Sequence, residues 1–144
     1  MKLCDVNVLV YAFKEGTSRH AEFRRWLQSV VDSDESFGVS DLVLSGFVSV
    51  VTHPRVFDVP SSVDEAVAFA DALREAPNAV PVAPGARHWA VFTRLCSMSG
   101  ARGNLVPDAY HAALAIESGS EWITTDRGFA RFPGLRWRSP LGPP

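Results

Sequence analysis

Cysteine is scarce in this chain. Cys4 and Cys96 are the only two among 144 residues, and neither sits in a CxxC pair or a Cys/His cluster. That argues against zinc and against a disulfide framework. Long apolar runs are missing too, and no stretch approaches the length of a transmembrane helix. The first residues offer no signal peptide, because Asp5 and Asn7 interrupt any apolar h-region. Surplus positive charge is absent: 14 Lys and Arg face 16 Asp and Glu, for a net charge of -2. A protein that coats nucleic acid by bulk charge is thereby excluded, while an enzyme acting on it through a local basic rim is not. There is no internal repeat. The totals that remain, 47% apolar and 21% charged residues, describe one soluble, intracellular globular domain, long enough to bury a real core.

What is present begins with Lys2-Leu3-Cys4-Asp5-Val6-Asn7-Val8-Leu9-Val10-Tyr11-Ala12-Phe13. A near-continuous apolar run of this kind reads as a strand buried on both faces, as in parallel sheets covered by helices. An isolated buried carboxylate is very costly, so Asp5 belongs at the strand's end. Ligand sites of open α/β sheets gather at carboxyl ends of strands. The pattern predicts a strand over Lys2–Asp5, a turn at Val6-Asn7 and a helix from Val8 to Lys14. The duller account of Asp5 is that it caps that helix together with Asn7.

Further along, Thr17 or Ser18 is expected to cap a second helix carrying Phe23, Trp26, Leu27 and Val30 at helical spacing. Ser36–Val39 is β-like. Ser40-Asp41 opens a helix from Leu42 to Thr52, stopped by His53-Pro54-Arg55. Ser61-Ser62 precedes a helix that runs to about Glu75. Val80-Pro81-Val82 reads as an edge strand, and Trp89, Phe92, Leu95 and Cys96 mark another helix. Pro107 suits the first residue of a helix with an Ala109, Ala112, Ala113, Ile116 stripe, ended by Gly119. Glu121–Thr125 and Leu135–Trp137 complete the strands, with a short helical piece between Phe129 and Phe132. Trp and Tyr positions match helix stripes and are assigned to the core. The tail from about Pro140 is expected to fray. Strand–helix alternation predicts a single α/β domain, its central parallel sheet flanked by helices on both faces.

Three carboxylates then stand at element ends: Asp5, Asp108 in the first turn of the late helix, and Asp126 after the strand that precedes it. Singly, Asp108 could merely complement a helix dipole and Asp126 merely serve a turn with Gly128. With parallel strands, Asp5 and Asp126 leave the same sheet edge, and the helix of Asp108 can start there. Clustered carboxylates repel unless protonated or bridged by a cation. Hard oxygen ligands suit Mg²⁺ or Mn²⁺, and such a cluster is apparatus for metal-assisted phosphodiester hydrolysis.

Four stretches carry a resemblance: Asp5–Tyr11, Leu44–Phe57, Pro107–Ala115 and Thr124–Phe132. In this order they resemble the PIN domain, and more narrowly the VapC-type toxins of toxin–antitoxin pairs. The likeness covers almost the whole of residues 1–144. It implies a small Mg²⁺-dependent endoribonuclease that leaves a 5′-phosphate and a 3′-hydroxyl. It also implies inhibition by an antitoxin, a homodimer and a bacterial cytosolic setting. The family's acids fall on Asp5, Asp108 and Asp126, as catalytic and metal-holding residues. Two departures stand out. Gly46 occupies a place where the family often has Glu, and Gly128 one where many members have a second acid. Asp41, one turn before Ser45, and Asn7 are candidate auxiliaries.

RNA also needs positive charge near the acids. Arg127 and Arg102 are the nearest candidates, followed by Lys14 and Arg19. His111, one turn after Asp108, could orient it; His20, His53 and His88 show no metal spacing. The apolar surface of the Arg24–Val30 and Leu42–Thr52 helices suggests a groove for an amphipathic antitoxin segment. Two rival readings stay open. One is a Mg²⁺-dependent phosphohydrolase with Asp5 as nucleophile, aided by Thr124-Thr125-Asp126. The other is a binding module that keeps the fold without the chemistry.

Overall fold

The computed structural model describes residues 1–143. Strand β1 (Lys2–Cys4) passes almost directly into α1 (Val6–Phe13). The expected turn at Val6-Asn7 does not form. Asp5 is extended (φ -70°, ψ 158°) and its carboxylate accepts the Val6 N–H, so a side-chain cap starts the helix at once. Helix α2 (His20–Val31) starts later than Thr17-Ser18 suggests. Thr17 turns its hydroxyl back to the Lys14 carbonyl at 2.6 Å. Arg19, left-handed at φ 57°, takes the N-cap position with no side-chain bond.

Strand β2 (Phe37–Val39) leads into α3 (Asp41–Val51), whose cap Ser40 accepts from the Val43 N–H. Helix α4 (Val63–Glu75) is capped by Ser62 on the Glu65 N–H. Strand β3 (Ala79–Pro81) is an edge strand, the one place where Pro81 removes no needed donor. Helices α5 (His88–Ser99) and α6 (Leu105–Ser118) follow. Helix α6 begins two residues before Pro107. The Leu105 and Val106 N–H groups bond back to Arg102 and Gly103. Pro107 then lies in the first turn, where its missing N–H would have had no helical partner. Strand β4 (Glu121–Ile123), a 3₁₀ turn (Arg127–Arg131) and β5 (Trp137–Arg138) close the chain. Beyond it, Pro140 is buried and Leu141 packs on the core, so the tail is docked at least that far.

All pairings are parallel, in the order β3-β2-β1-β4-β5. The chain steps outward from β1 to β3, then returns to place β4 on the other side of β1. Helices α1 to α4 pack among themselves and α5 packs on α6. Right-handed crossovers put these two groups on opposite faces, as the alternation predicts. The reversal makes the gap between β1 and β4 the topological switch point, where open α/β sheets bind their ligands. No helix among the described residues is long and apolar enough to cross a membrane.

The core is apolar and aromatic, with Trp122, Phe47, Leu95 and Val51 fully buried. Phe47 meets Phe13 edge-on at 5.3 Å and Phe69 at 5.1 Å, which ties α3 to α1 and α4. Trp89 departs from its expected core role and is 68% exposed. Phe47→Ala should lower unfolding free energy by about 3–5 kcal/mol, through lost transfer energy and the cavity left behind. Urea unfolding followed by circular dichroism measures this.

Candidate active site

The pairing of Cys4 with Ile123 fixes the ends of β1 and β4 side by side. The Asp5 N–H extends that ladder to the Ile123 carbonyl at 2.8 Å. Asp5 and Asp126 therefore leave the same edge of the sheet. Asp5 is 8% exposed, and both of its carboxylate oxygens are engaged. Oδ1 accepts from Val6 N–H at 2.7 Å. Oδ2 accepts from the Thr124 hydroxyl at 2.6 Å and from the Asn7 amide at 3.1 Å.

Thr124 is the hub of this network and is fully buried. Its hydroxyl gives its one hydrogen to Asp5 and accepts from Asn7 Nδ2 at 3.2 Å and from the Asp126 N–H at 3.0 Å. One donor and two acceptor lone pairs are all in use. Asn7 completes the link by accepting the Thr125 N–H on Oδ1 at 3.3 Å. Its amide thus holds Asp5 and the end of β4 together.

Asp126 caps the 3₁₀ turn, accepting the Gly128 N–H at 2.7 Å, and is exposed. Asp108 lies in the first turn of α6, half-buried. Burial raises the Asp5 carboxyl to about 6, the Asp108 and Asp126 charges add to the rise, and the Thr124 and Val6 hydrogen bonds oppose it. Asp108 is raised by burial first and then by Asp126, against the pull of Arg131.

No three His, Cys, Asp or Glu among the described residues converge closely enough to cage a metal ion. The donor chemistry nevertheless fits one. The candidate ligands are hard carboxylate oxygens whose charges repel across the switch point. Mg²⁺ usually keeps several waters and takes one or two carboxylates together with substrate phosphates.

The auxiliary candidates fare unequally. Asp41 is exposed and pairs with Arg74 at 3.0 Å, and it is not among the charges that act on Asp5. Lys14 is committed to the Val59 carbonyl at 2.6 Å and the Ser61 hydroxyl at 2.9 Å. Arg19 is paired with Glu22. Arg127 and Arg102 are exposed, on the 3₁₀ turn and on the loop before α6. His111 stacks on Trp122 at 5.4 Å and burial lowers its pKa to about 4. His88 holds the Tyr110 carbonyl at 3.0 Å. A Cβ on Gly46 would lie 3.0 Å from Val6 Cγ2, so α3 passes close to the start of α1, next to Asp5. The sequence offered Thr124 only as an aid to Asp5 in the phosphohydrolase reading, not as the hub of the network, and it did not single out Arg131.

A family model described as PIN domain matches residues 2–135. The chain belongs to the PIN domain family. Among curated PIN relatives, a VapC ribonuclease of Mycobacterium bovis is 49% identical over 140 residues, spanning 96% of this chain and 95% of its own. Ribonuclease VapC25 of Mycobacterium tuberculosis is 37% identical over 136 residues, spanning 94% and 96%. The same PIN fold recurs in the VapBC2 structure of Rickettsia felis bound to promoter DNA. That match has a TM-score of 0.67 at 17% identity, over 96% of this chain and 97% of the other.

The raised Asp5 carboxyl has a consequence for stability. Unfolded, Asp5 returns toward 3.8, while folded it stands near 6. The folded state therefore holds the proton more tightly, and stability from this group is full below pH 4 and lost as pH rises through 6. In metal-free protein, the stability of the native chain relative to Asp5→Asn should fall by roughly 2 kcal/mol between pH 4 and pH 7. Guanidinium titrations of both proteins across that range measure it.

Proposed function

We propose that this PIN domain is an endoribonuclease, the toxin of a toxin–antitoxin pair, which hydrolyses RNA phosphodiester bonds with the help of Mg²⁺ or Mn²⁺. The observation that carries the reading is that the paired ends of β1 and β4 put Asp5 and Asp126 on one edge of the sheet at the switch point, joined through the Thr124 hydroxyl. The likeness over nearly the whole chain to proteins named VapC ribonucleases supports it further. Asp5, Asp108 and Asp126 would hold the ion, in part through waters. When bound, the ion supplies an activated water and stabilises charge on the phosphate.

The chain's own residues do the positioning. Thr124 and Asn7 fix Asp5 in one rotamer and tie it to the backbone ahead of Asp126. Asp126, on its 3₁₀ turn, and Asp108, on the first turn of α6, are freer to adjust. Arg127 and Arg102 would meet RNA phosphates beside them. Neither Ser45 nor His111 is needed as a nucleophile, and His111 stays neutral at physiological pH.

Asp108→Asn removes one charge with little change of shape. RNA cleavage should fall at least about a hundredfold, the scale of a lost electrostatic stabiliser, with the fold retained and no loss of thermal stability. Sequencing of RNA ends after brief expression, with thermal melts of the purified variant, checks both. Cleavage at the native rate would remove Asp108 from the site.

The antitoxin reading has its own support. A groove of about 520 Å³ runs between α1, α2 and α4, lined by Phe13, Leu27, Val31 and Phe69 with Arg24 at its side. This is shape and chemistry for an amphipathic segment carrying an acid. Helix α3, expected to share such a groove, does not line it. A homodimer, with the cytosol as the place of action, completes the reading. Ala72 is exposed on the groove wall, so Ala72→Arg should fill the groove without touching the core. It should abolish co-purification with the antitoxin encoded beside it and leave RNA cleavage intact. Retained co-purification would place the antitoxin elsewhere.

A further inference from the structure

The acidic centre holds a cation of the chain's own. Arg131 closes the 3₁₀ turn that Asp126 opens, and its Nε donates to the Gly128 carbonyl at 2.7 Å. Gly128 lacks a side chain, and its neighbours use the space. A Cβ there would lie 2.9 Å from Arg131 Nη2 and 2.9 Å from Asp126 Oδ1. The guanidinium and the carboxylate thus face one another across the glycine. They stop short of an ion pair: the ion-paired cations among the described residues are Lys2, Arg19, Arg74 and Arg138.

This arrangement leaves donors to spare. The backbone carbonyl fixes the guanidinium through Nε, and the side chain is otherwise exposed. A planar fork with free Nη groups matches the oxygens of a phosphate. The need for it is electrostatic. A cluster of carboxylates repels the phosphate it is meant to act on, and a guanidinium beside them reverses that sign locally. Arg131 is a short 3₁₀ turn from Asp126 and faces its carboxylate across Gly128, so a phosphate against Asp126 meets its Nη groups as well.

We propose that Arg131 is a phosphate-binding residue of this centre, its Nη groups donating to the RNA phosphate that lies against Asp126. The role rests on the ribonuclease reading. It differs from that of a plain counter-ion, which would neutralise the acids and touch no substrate.

The test uses the full chain in chelator, so that RNA is bound and not cut. A short single-stranded RNA of mixed sequence, fluorescently labelled, is titrated with native protein, Arg131→Ala and Arg131→Lys at several salt concentrations. Arg131→Ala should weaken binding about tenfold, the scale of a lost charge-assisted hydrogen bond. The slope of log affinity against log salt should shrink by about 0.7, the value for one phosphate contact on a single strand. Arg131→Lys keeps a charge without the fork and should fall between, which also guards against a folding defect in the alanine variant. Mn²⁺ affinity without RNA, by calorimetry, should not fall in Arg131→Ala. Unchanged RNA affinity and salt slope in Arg131→Ala, beside a native chain that binds and cleaves RNA, would overturn the role alone. Unchanged RNA binding with a rise in Mn²⁺ affinity would assign Arg131 as counter-ion only. A native chain that neither binds nor cleaves RNA, with or without Mn²⁺, would overturn the ribonuclease reading and this role with it.

Discussion

A single hydrogen bond organises the switch point, the one from the Thr124 hydroxyl to Asp5 Oδ2. Both groups are buried, and both come from the ends of neighbouring parallel strands. A carboxylate placed there without donors would carry a severe desolvation penalty. With Val6, Thr124 and Asn7 all donating, it is fully coordinated by hydrogen bonds while still strained by its charge. Everything nearby follows from keeping those donors in place. Helix α1 must begin at Val6 to present its N–H. Strands β1 and β4 must be adjacent and in register. The turn after β4 must bring the Asp126 N–H back onto the same hydroxyl.

The same network decides how charge is shared. Asp5 lies deepest, and its carboxyl is raised to about 6 because burial outweighs its hydrogen bonds. Asp108 is less buried and has Arg131 within electrostatic reach. The centre is therefore a gradient, from a dry, fixed carboxylate to wetter ones accompanied by a guanidinium. The absence of a side chain at Gly128 makes room for that guanidinium, and the absence of one at Gly46 lets α3 approach Val6 closely.

Much of this was legible in the sequence, for identifiable reasons. The run Leu3 to Ala12 is apolar enough to demand burial on both sides, and its single acid had to sit at the strand's end. Parallel alternation then put Asp5 and Asp126 on one edge. Caps were harder to read. Thr17 resembles a cap but bonds back to Lys14, and the left-handed Arg19 takes its place. Pro107 marks the start of α6 only to within two residues, since a proline is equally harmless anywhere in the first turn. Asp41 looked available because its partner Arg74 lies 33 residues away in the chain. Arg131 was illegible for the same reason that makes it interesting. Its position depends on a 3₁₀ turn and on an empty glycine face, and neither has a periodic signature.

The three acids also differ in how much freedom they have left. Asp5 is held by three side-chain hydrogen bonds and Asp126 by one, while Asp108 makes none among the described residues. Ordering a loose side chain consumes rotamer entropy, whereas a side chain already locked has none left to lose. A ligand arriving at this edge would thus find one coordinate already set and would have to freeze the other two itself. Discrimination among ligands then resides in the loose half of the centre, because only a ligand with enough contacts there can overcome the ordering.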